Sequence, residues 1–264
     1  MTEPKESIIF SFYDFGIEVA SSDPQTIDNI SRDFSFFVSP EKVPEIHFEI
    51  FAAPFNYQNL PTLRPLSHSP RNFSYQNGDL LFIDYFGRGL LIFDRIRKEY
   101  RIFSADPQLR HEIVFLAILS LIGQNFDLKH IHRVHGLGLE INGKGTLILL
   151  PQGGGKTTLM LELLKYPNVK LISEDTPLIN PSGEILPFPI RIGIDAEAKL
   201  SGLPEKHLRL IERMEFKPKY LLDIDYFKDK IAKKPCKLEF VFEGIRCLGN
   251  GSQIIPASKL KLLR

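Results

Sequence analysis

The chain has 264 residues, 43% hydrophobic and 25% charged, enough apolar content for one large core or two modest ones without metal or disulfide support. Thirty-three basic against thirty-two acidic side chains leave a formal charge of +1. That balance supplies no long-range field for nucleic acid or an anionic membrane, so neither is expected as a partner.

Met1 to Ser7 carries Glu3, Lys5 and Glu6, without the basic start, apolar middle and small-residue cleavage site of a secretory signal. Cys236 and Cys247 are the two cysteines, too few for a disulfide framework and without zinc-site spacing. Both observations point to a reducing, cytoplasmic setting.

In chain order, β-like runs at Ile8 to Tyr13, Ile46 to Phe51, Leu80 to Tyr85, Leu90 to Phe93 and Tyr100 to Phe103 alternate with turn signals. Asn77-Gly78 and Gly87-Arg88-Gly89 tolerate the positive φ of tight hairpins, so a meander-like antiparallel arrangement is expected. Ile27, Ile30, Phe34 and Phe37 recur at helical spacing from Pro24 to Phe37, with Asp23 as the cap. Pro54 to Asn72, rich in proline, serine and asparagine, reads as a long surface loop. A second helix is expected from Pro107 to Asn125, capped by Asp106; its apolar stretch Ile113 to Ile122 is about half the ~20 residues of a membrane span and implies burial. These elements form a β-rich α+β N-terminal domain over residues 1–128.

A second domain, residues 129–264, carries the chemistry. Gly136 to Ile141 and Thr146 to Leu150 read as strands joined by the hairpin turn Asn142-Gly143-Lys144-Gly145. The second strand runs through Pro151, Gln152, Gly153, Gly154 and Gly155 to Lys156, Thr157 and Thr158, then into the helix former Leu159 to Leu164. This strand, glycine-rich loop and helix make a phosphate loop. Gly153, Gly154 and Gly155 free backbone N–H groups to surround phosphate oxygens at a helix N-terminus. Lys156 neutralises the β- and γ-phosphates, Thr157 places a hydroxyl on magnesium, and Thr158 offers a further phosphate or cap contact. Because the first strand precedes the loop strand through a hairpin rather than a crossover, a mixed sheet is expected.

The next strand, Val169 to Ser173, ends in Glu174-Asp175, nineteen residues past Lys156, the room needed for a helix, a turn and an adjacent strand. One acid is then available to hold magnesium and the other to accept a proton; Asp175 is assigned to the metal and Glu174 to the base. His130, His132 and His135 cluster at a spacing that matches no standard zinc pattern. Arg191 offers a guanidinium that suits a phosphate or a surface role equally. Lys228, Lys230, Lys233, Lys234 and Lys237 read as a solvated face or a site for an acidic partner.

His135-Gly136, the Asn-Gly-Lys-Gly hairpin, Pro-Gln-Gly-Gly-Gly-Lys-Thr-Thr and Leu-Ile-Ser-Glu-Asp together resemble the kinase domain of the HPr kinase/phosphorylase family over about residues 131–180. The resemblance implies a mixed-sheet core related to phosphoenolpyruvate carboxykinase, ATP with Mg2+, and γ-phosphoryl transfer to a hydroxyl of a protein serine or a small molecule. It implies that the first acid, Glu174, acts as base and the second, Asp175, binds magnesium, and it sets His135 near the γ-phosphate. Leu150 stands where the loop pattern has glycine, Glu174 stands where the family has aspartate, and the family's downstream arginine-glycine-glycine-type signature is not found. An ATP-binding regulatory or sensor module without turnover is therefore the alternative. Homo-oligomerisation stays open, since apolar faces destined for a core and for an interface look alike. Pro256 to Arg264 reads as the opening of an amphipathic helix, compatible with a chain that continues.

Overall fold

The structure is a computed structural model that describes residues 6–151, 153–195, 203–213, 216–245 and 253–256. It is a mixed α/β protein with large mixed sheets and few helices. Two compact units divide it: Met1–Leu128 with Ile190–Tyr226, and Lys129–Pro189 with Phe227–Arg264. The first division falls at Leu128, but Ile190–Tyr226 groups with the first unit, where the sequence reading gave all of 129–264 to the second.

The first unit opens with β1 (Glu6–Phe12) and β2 (Phe15–Ser21), a hairpin turned by Tyr13 and Asp14 at φ 53° and 71°. Helix α1 (Pro24–Asp33) follows, its N-terminus capped by Asp23, which accepts from Gln25 N–H. The helix stops four residues short of Phe37, and Ser35–Phe37 forms a separate 3-10 turn. Strands β3 (Ile46–Phe51), β4 (Arg64–His68), β5 (Phe73–Asn77), β6 (Leu80–Asp84), β7 (Leu90–Asp94) and β8 (Glu99–Phe103) complete an eight-stranded sheet in the order β1-β2-β3-β8-β7-β6-β5-β4. Strands β4 to β8 form the expected meander, while β2, β3 and β8 pair in parallel. The segment expected to be a loop contains β4. Its side chains are all exposed, so it carries no apolar alternation to reveal a strand.

Helix α2 (Pro107–Leu128) starts beneath Asp106, which accepts from Gln108 and Leu109 N–H. By length and composition it could cross a membrane, yet half of its most apolar window is buried inside the protein. Ile113, Val114, Ile118 and Phe126 lie in the core, and Phe115 stacks on Phe34 at 5.2 Å between ring centroids.

The second unit follows with β9 (His132–Arg133), β10 (Leu137–Ile141), β11 (Lys144–Leu149), α3 (Lys156–Leu163), β12 (Val169–Ser173), β13 (Leu178–Ile179) and β14 (Glu184–Leu186). The chain then supplies β15 (Ile192–Asp195), β16 (Leu208–Arg213) and β17 (Phe216–Leu222) as a three-stranded sheet of the first unit. It returns with β18 (Cys236–Glu243) to close a seven-stranded sheet ordered β12-β10-β11-β18-β14-β13-β9. Strand β11 is antiparallel to β10 and parallel to β18, so this sheet is mixed. Cys247, Gln152 and the expected C-terminal amphipathic stretch, apart from Pro256, lie outside the described residues.

A buried ionic hub fastens Ile190–Tyr226 into the first unit. Asp33 at the end of α1 is fully buried and accepts at 2.7 Å from each of Arg191, Arg209 and His111. Arg209 also reaches Asp223, which Arg32 engages as well. The Arg191 guanidinium lies 3.4 Å from the centre of the Phe115 ring. Arg191, its side chain 10% exposed, is thus a largely enclosed structural cation of the first unit, which corrects both the phosphate and the surface expectations for it. Burial alone would raise the Asp33 pKa, but the charges of Arg191, His111 and Arg209 outweigh it and hold the carboxyl well below the ordinary range.

A carboxyl depressed in the folded state stabilises above its unfolded pKa of about 4, and that stability is lost as pH falls below it. Asp33→Asn, which leaves buried cations underpaired, is expected to cost about 3–5 kcal/mol in urea denaturation at pH 7. Between pH 5 and pH 3 the native protein should lose stability more steeply than the variant; equal slopes would contradict the assignment.

Candidate functional site

Strand direction gathers the site. Strand β10 lies between β11 and β12 and is antiparallel to both, with Leu137 opposite Ile148 and Gly138 opposite Ser173. The start of β10 and the ends of β11 and β12 therefore meet at one end of the sheet. His135 precedes β10, the glycine loop follows β11, and Glu174-Asp175 follow β12. The strand carrying the acids was expected beside the loop strand; β10 separates them, because the hairpin of β10 and β11 closes before the chain crosses over. The turn of that hairpin is Asn142-Gly143, at φ 52° and 78°, the left-handed pair a two-residue hairpin turn demands.

The loop turns through left-handed glycines, and its Gly154 N–H donates back to Pro151 O at 2.9 Å. Gly153 and Gly155 take φ of 71° and 90°, and Gly155 is the cap of α3. A left-handed cap costs an L-residue roughly 1–2 kcal/mol, which glycine avoids. A glycine cap also brings no side-chain oxygen to the first-turn N–H groups, which stay available to an anion with the positive end of the helix dipole behind them. Chain neighbours aside, no described heavy atom lies within 4 Å of where a Cβ would stand on Gly153 or Gly155, so those two positions border open space. Thr158 is exposed in the first turn of α3.

Leu150, at the position where glycine is usual, is only 9% exposed. Its side chain fills the space above Gly244, just past β18, where a Cβ would overlap the leucine Cδ2 and Cγ. The Gly244 N–H donates to Leu149 O at 2.7 Å and holds the two segments together. The missing glycine at the loop entry is thus matched by a glycine in the neighbouring strand exit.

The polar side chains form a cluster of three and a pair. Lys156 Nζ donates to Asp175 Oδ1 at 2.7 Å and lies 2.7 Å from His135 Nε2, while His135 Nδ1 is 3.3 Å from the same Asp175 oxygen. Lys156 Nζ is also 3.5 Å from His135 Nδ1, so the ammonium lies against the imidazole ring and Asp175 beside both. Thr157 Oγ1 donates to Glu174 Oε1 at 2.5 Å. Gly136 N–H donates to Asp175 O at 3.2 Å, and Thr176 N–H donates to Ser173 Oγ at 3.2 Å across the turn that holds the two acids. The Lys156 side chain is 10% exposed and that of Asp175 is 56% exposed, so the lysine is held inside and the aspartate faces solvent.

The structure thus brings together His135, Gly153, Gly154, Gly155, Lys156, Thr157, Glu174 and Asp175, with Thr158 one position further along α3. It pairs Thr157 with Glu174 rather than with Asp175, the reverse of the partnership expected for the metal. His132 is exposed on β9 and His130 occupies a turn at φ 55°. Lys228, Lys233, Lys234 and Lys237 are exposed, and Lys230 donates to Tyr166 O at 2.8 Å. Burial, then Glu140 and Glu184, push the Cys236 thiol up to about 11, so it stays protonated at neutral pH.

Sequence reasoning missed Arg133, which lines a cleft of about 320 Å³ with Val134, His135, Asp175 and Thr176. Its place two residues before His135 was the available signal. No protein-family model matches the chain, and no curated protein matches it.

Leu150 and Gly244 should be energetically coupled. Gly244→Val is expected to cost about 1–3 kcal/mol through overpacking, and Leu150→Ala in the same chain should recover part of that loss. Strict additivity in urea denaturation would show that the two sites do not touch.

Proposed function

We propose that the second unit is an ATP-dependent phosphotransferase core of the HPr kinase/phosphorylase type, working in the cytoplasm on a hydroxyl acceptor. The observation that carries this reading is the meeting, at one sheet end, of a glycine-capped helix, the Lys156-Asp175-His135 cluster and the Thr157-Glu174 pair. Composition and charge remain consistent with a nucleotide and a polar acceptor as the partners.

The loop N–H groups and Lys156 hold the β- and γ-phosphates, with Lys156 turning from Asp175 to the incoming phosphate. Mg2+, when bound, neutralises charge that builds on the phosphate oxygens. Thr157 and Glu174 would hold it, since the loop hydroxyl is the usual metal ligand and Glu174 is the acid bonded to that hydroxyl. This exchanges the roles assigned from sequence: Glu174 goes to the metal and Asp175 becomes the base. Asp175, released from Lys156 and facing the cleft, takes the acceptor's hydroxyl proton as the oxygen attacks the γ-phosphorus and the bond to the ADP oxygen breaks. His135, whose Nδ1 lies 3.3 Å from Asp175, would steady that carboxylate beside the γ-phosphate.

Two variants separate the roles. Asp175→Asn is expected to lower phosphoryl transfer by about 10²–10⁴-fold while ATP affinity holds or improves. Glu174→Gln should chiefly raise the Mg2+ concentration required for half-maximal rate. The opposite pattern restores the original assignment, and Mg2+-dependent ATP binding without turnover in the native protein would favour a sensor.

A further inference from the structure

His135 is held more firmly than a residue that only steadies its neighbour requires. Val134 N–H donates to Pro177 O at 2.9 Å and Gly136 N–H to Asp175 O at 3.2 Å, so the backbone on both sides of residue 135 is clamped to the segment that carries the acids. A Cβ on Gly136 would stand 2.9 Å from Ile148 O, so the clamp also presses against the strand that leads into the glycine loop. The imidazole itself is exposed and lines the cleft of about 320 Å³ with Val134, Asp175 and Thr176. A ring fixed at its backbone and open at its nitrogens suits a reacting group, which must be placed to within about 0.5 Å.

The two ring nitrogens meet different partners. Nε2 lies 2.7 Å from Lys156 Nζ, the ammonium that grips the γ-phosphate in the phosphotransferase reading. A phosphate oxygen takes a lysine nitrogen at about 2.7–2.9 Å, so the γ-phosphorus arrives beside Nε2, near the separation of about 3–3.5 Å from which attack proceeds. Nδ1 lies 3.3 Å from Asp175 Oδ1, a carboxylate in place to receive the ring proton. Two neighbouring hydroxyls are engaged elsewhere: Thr157 Oγ1 donates to Glu174, and the buried Ser173 Oγ accepts from Thr176 N–H. A neutral imidazole also brings no negative charge against an anionic phosphate, as a carboxylate nucleophile would.

We propose that His135 is itself a phosphoryl acceptor: with no hydroxyl substrate in the cleft, the γ-phosphoryl group of ATP moves to its Nε2 and leaves a phosphohistidine facing the cleft. This rests on the phosphotransferase reading above and adds a second reaction at the same site. The Nε2 lone pair forms the N–P bond, the bond from phosphorus to the ADP oxygen breaks, and ADP leaves with its electron pair. The ring proton passes from Nδ1 to Asp175, which Lys156 has released on taking the phosphate. The N–P bond keeps a high transfer potential, so ADP can take the phosphoryl group back and the step is reversible.

The test incubates the full chain with Mg2+ and ATP radiolabelled at the γ-phosphate, with no acceptor added, and follows the label after denaturation in alkali. Label is expected on the protein, stable in alkali and lost in mild acid as phosphoramidates are, and peptide mapping should place it on His135. Added ADP should remove it and return radiolabelled ATP. His135→Gln is expected to lower labelling by more than about tenfold, while His132→Gln, on β9, should leave it within about twofold. Calorimetric titration of ATP into the same proteins separates loss of label from loss of nucleotide. A native chain that binds ATP yet takes no label overturns the proposal. Label that survives acid, which marks a hydroxyl, or label mapped to another histidine overturns it as well. Mapping on the native chain decides the matter even where the His135 variant misfolds. A native chain that binds no ATP overturns the underlying reading instead.

Discussion

The position of β10 between β11 and β12 is the constraint on which the candidate site depends. Antiparallel pairing to both neighbours points their two C-terminal ends the same way and sets the start of β10 beside them. Side chains separated by up to forty residues in sequence, His135 to Asp175, then come within hydrogen-bond distance without any long loop. The tight Asn142-Gly143 turn fixes the hairpin register, and a one-residue slip would send every alternate side chain to the opposite face. Backbone geometry thus does the positioning, and the loop itself needs only a helix start with room for an anion.

The first unit is organised on a different principle. Its aromatic core supplies non-directional burial around Phe10, Phe12, Phe34 and Phe126. The later segment Ile190–Tyr226 is then held by the directional contacts of Asp33 with Arg191, Arg209 and His111. Such a hub adds little net stability over an apolar equivalent, yet it penalises any arrangement that leaves one partner alone. It specifies where a distant segment belongs.

Much of this was legible in the sequence. Caps at Asp23 and Asp106, the apolar run of α2 and the hairpin before the glycine loop each announce themselves through local chemistry. The loop, its lysine and the paired acids were legible for the same reason, since their spacing reflects a strand, a turn and a helix. Pairing partners were not. That β10 would stand between the loop strand and the acids, that Thr157 would meet Glu174, and that Arg191 would be buried against Asp33 all depend on contacts between separate segments. The Leu150 departure is of the same kind: Leu150 and Gly244 are ninety-four positions apart and meet only because β11 pairs with β18.

Isothermal titration of ATP with Mg2+ into the native protein and into Lys156→Ala tests the central claim, that this sheet end is a nucleotide-phosphate site, most directly. The account predicts a single-site ATP interaction in the native protein that is weakened at least tenfold in the variant, with folding unchanged by circular dichroism. No ATP binding by the folded native protein, or equal binding by the two proteins, would contradict it.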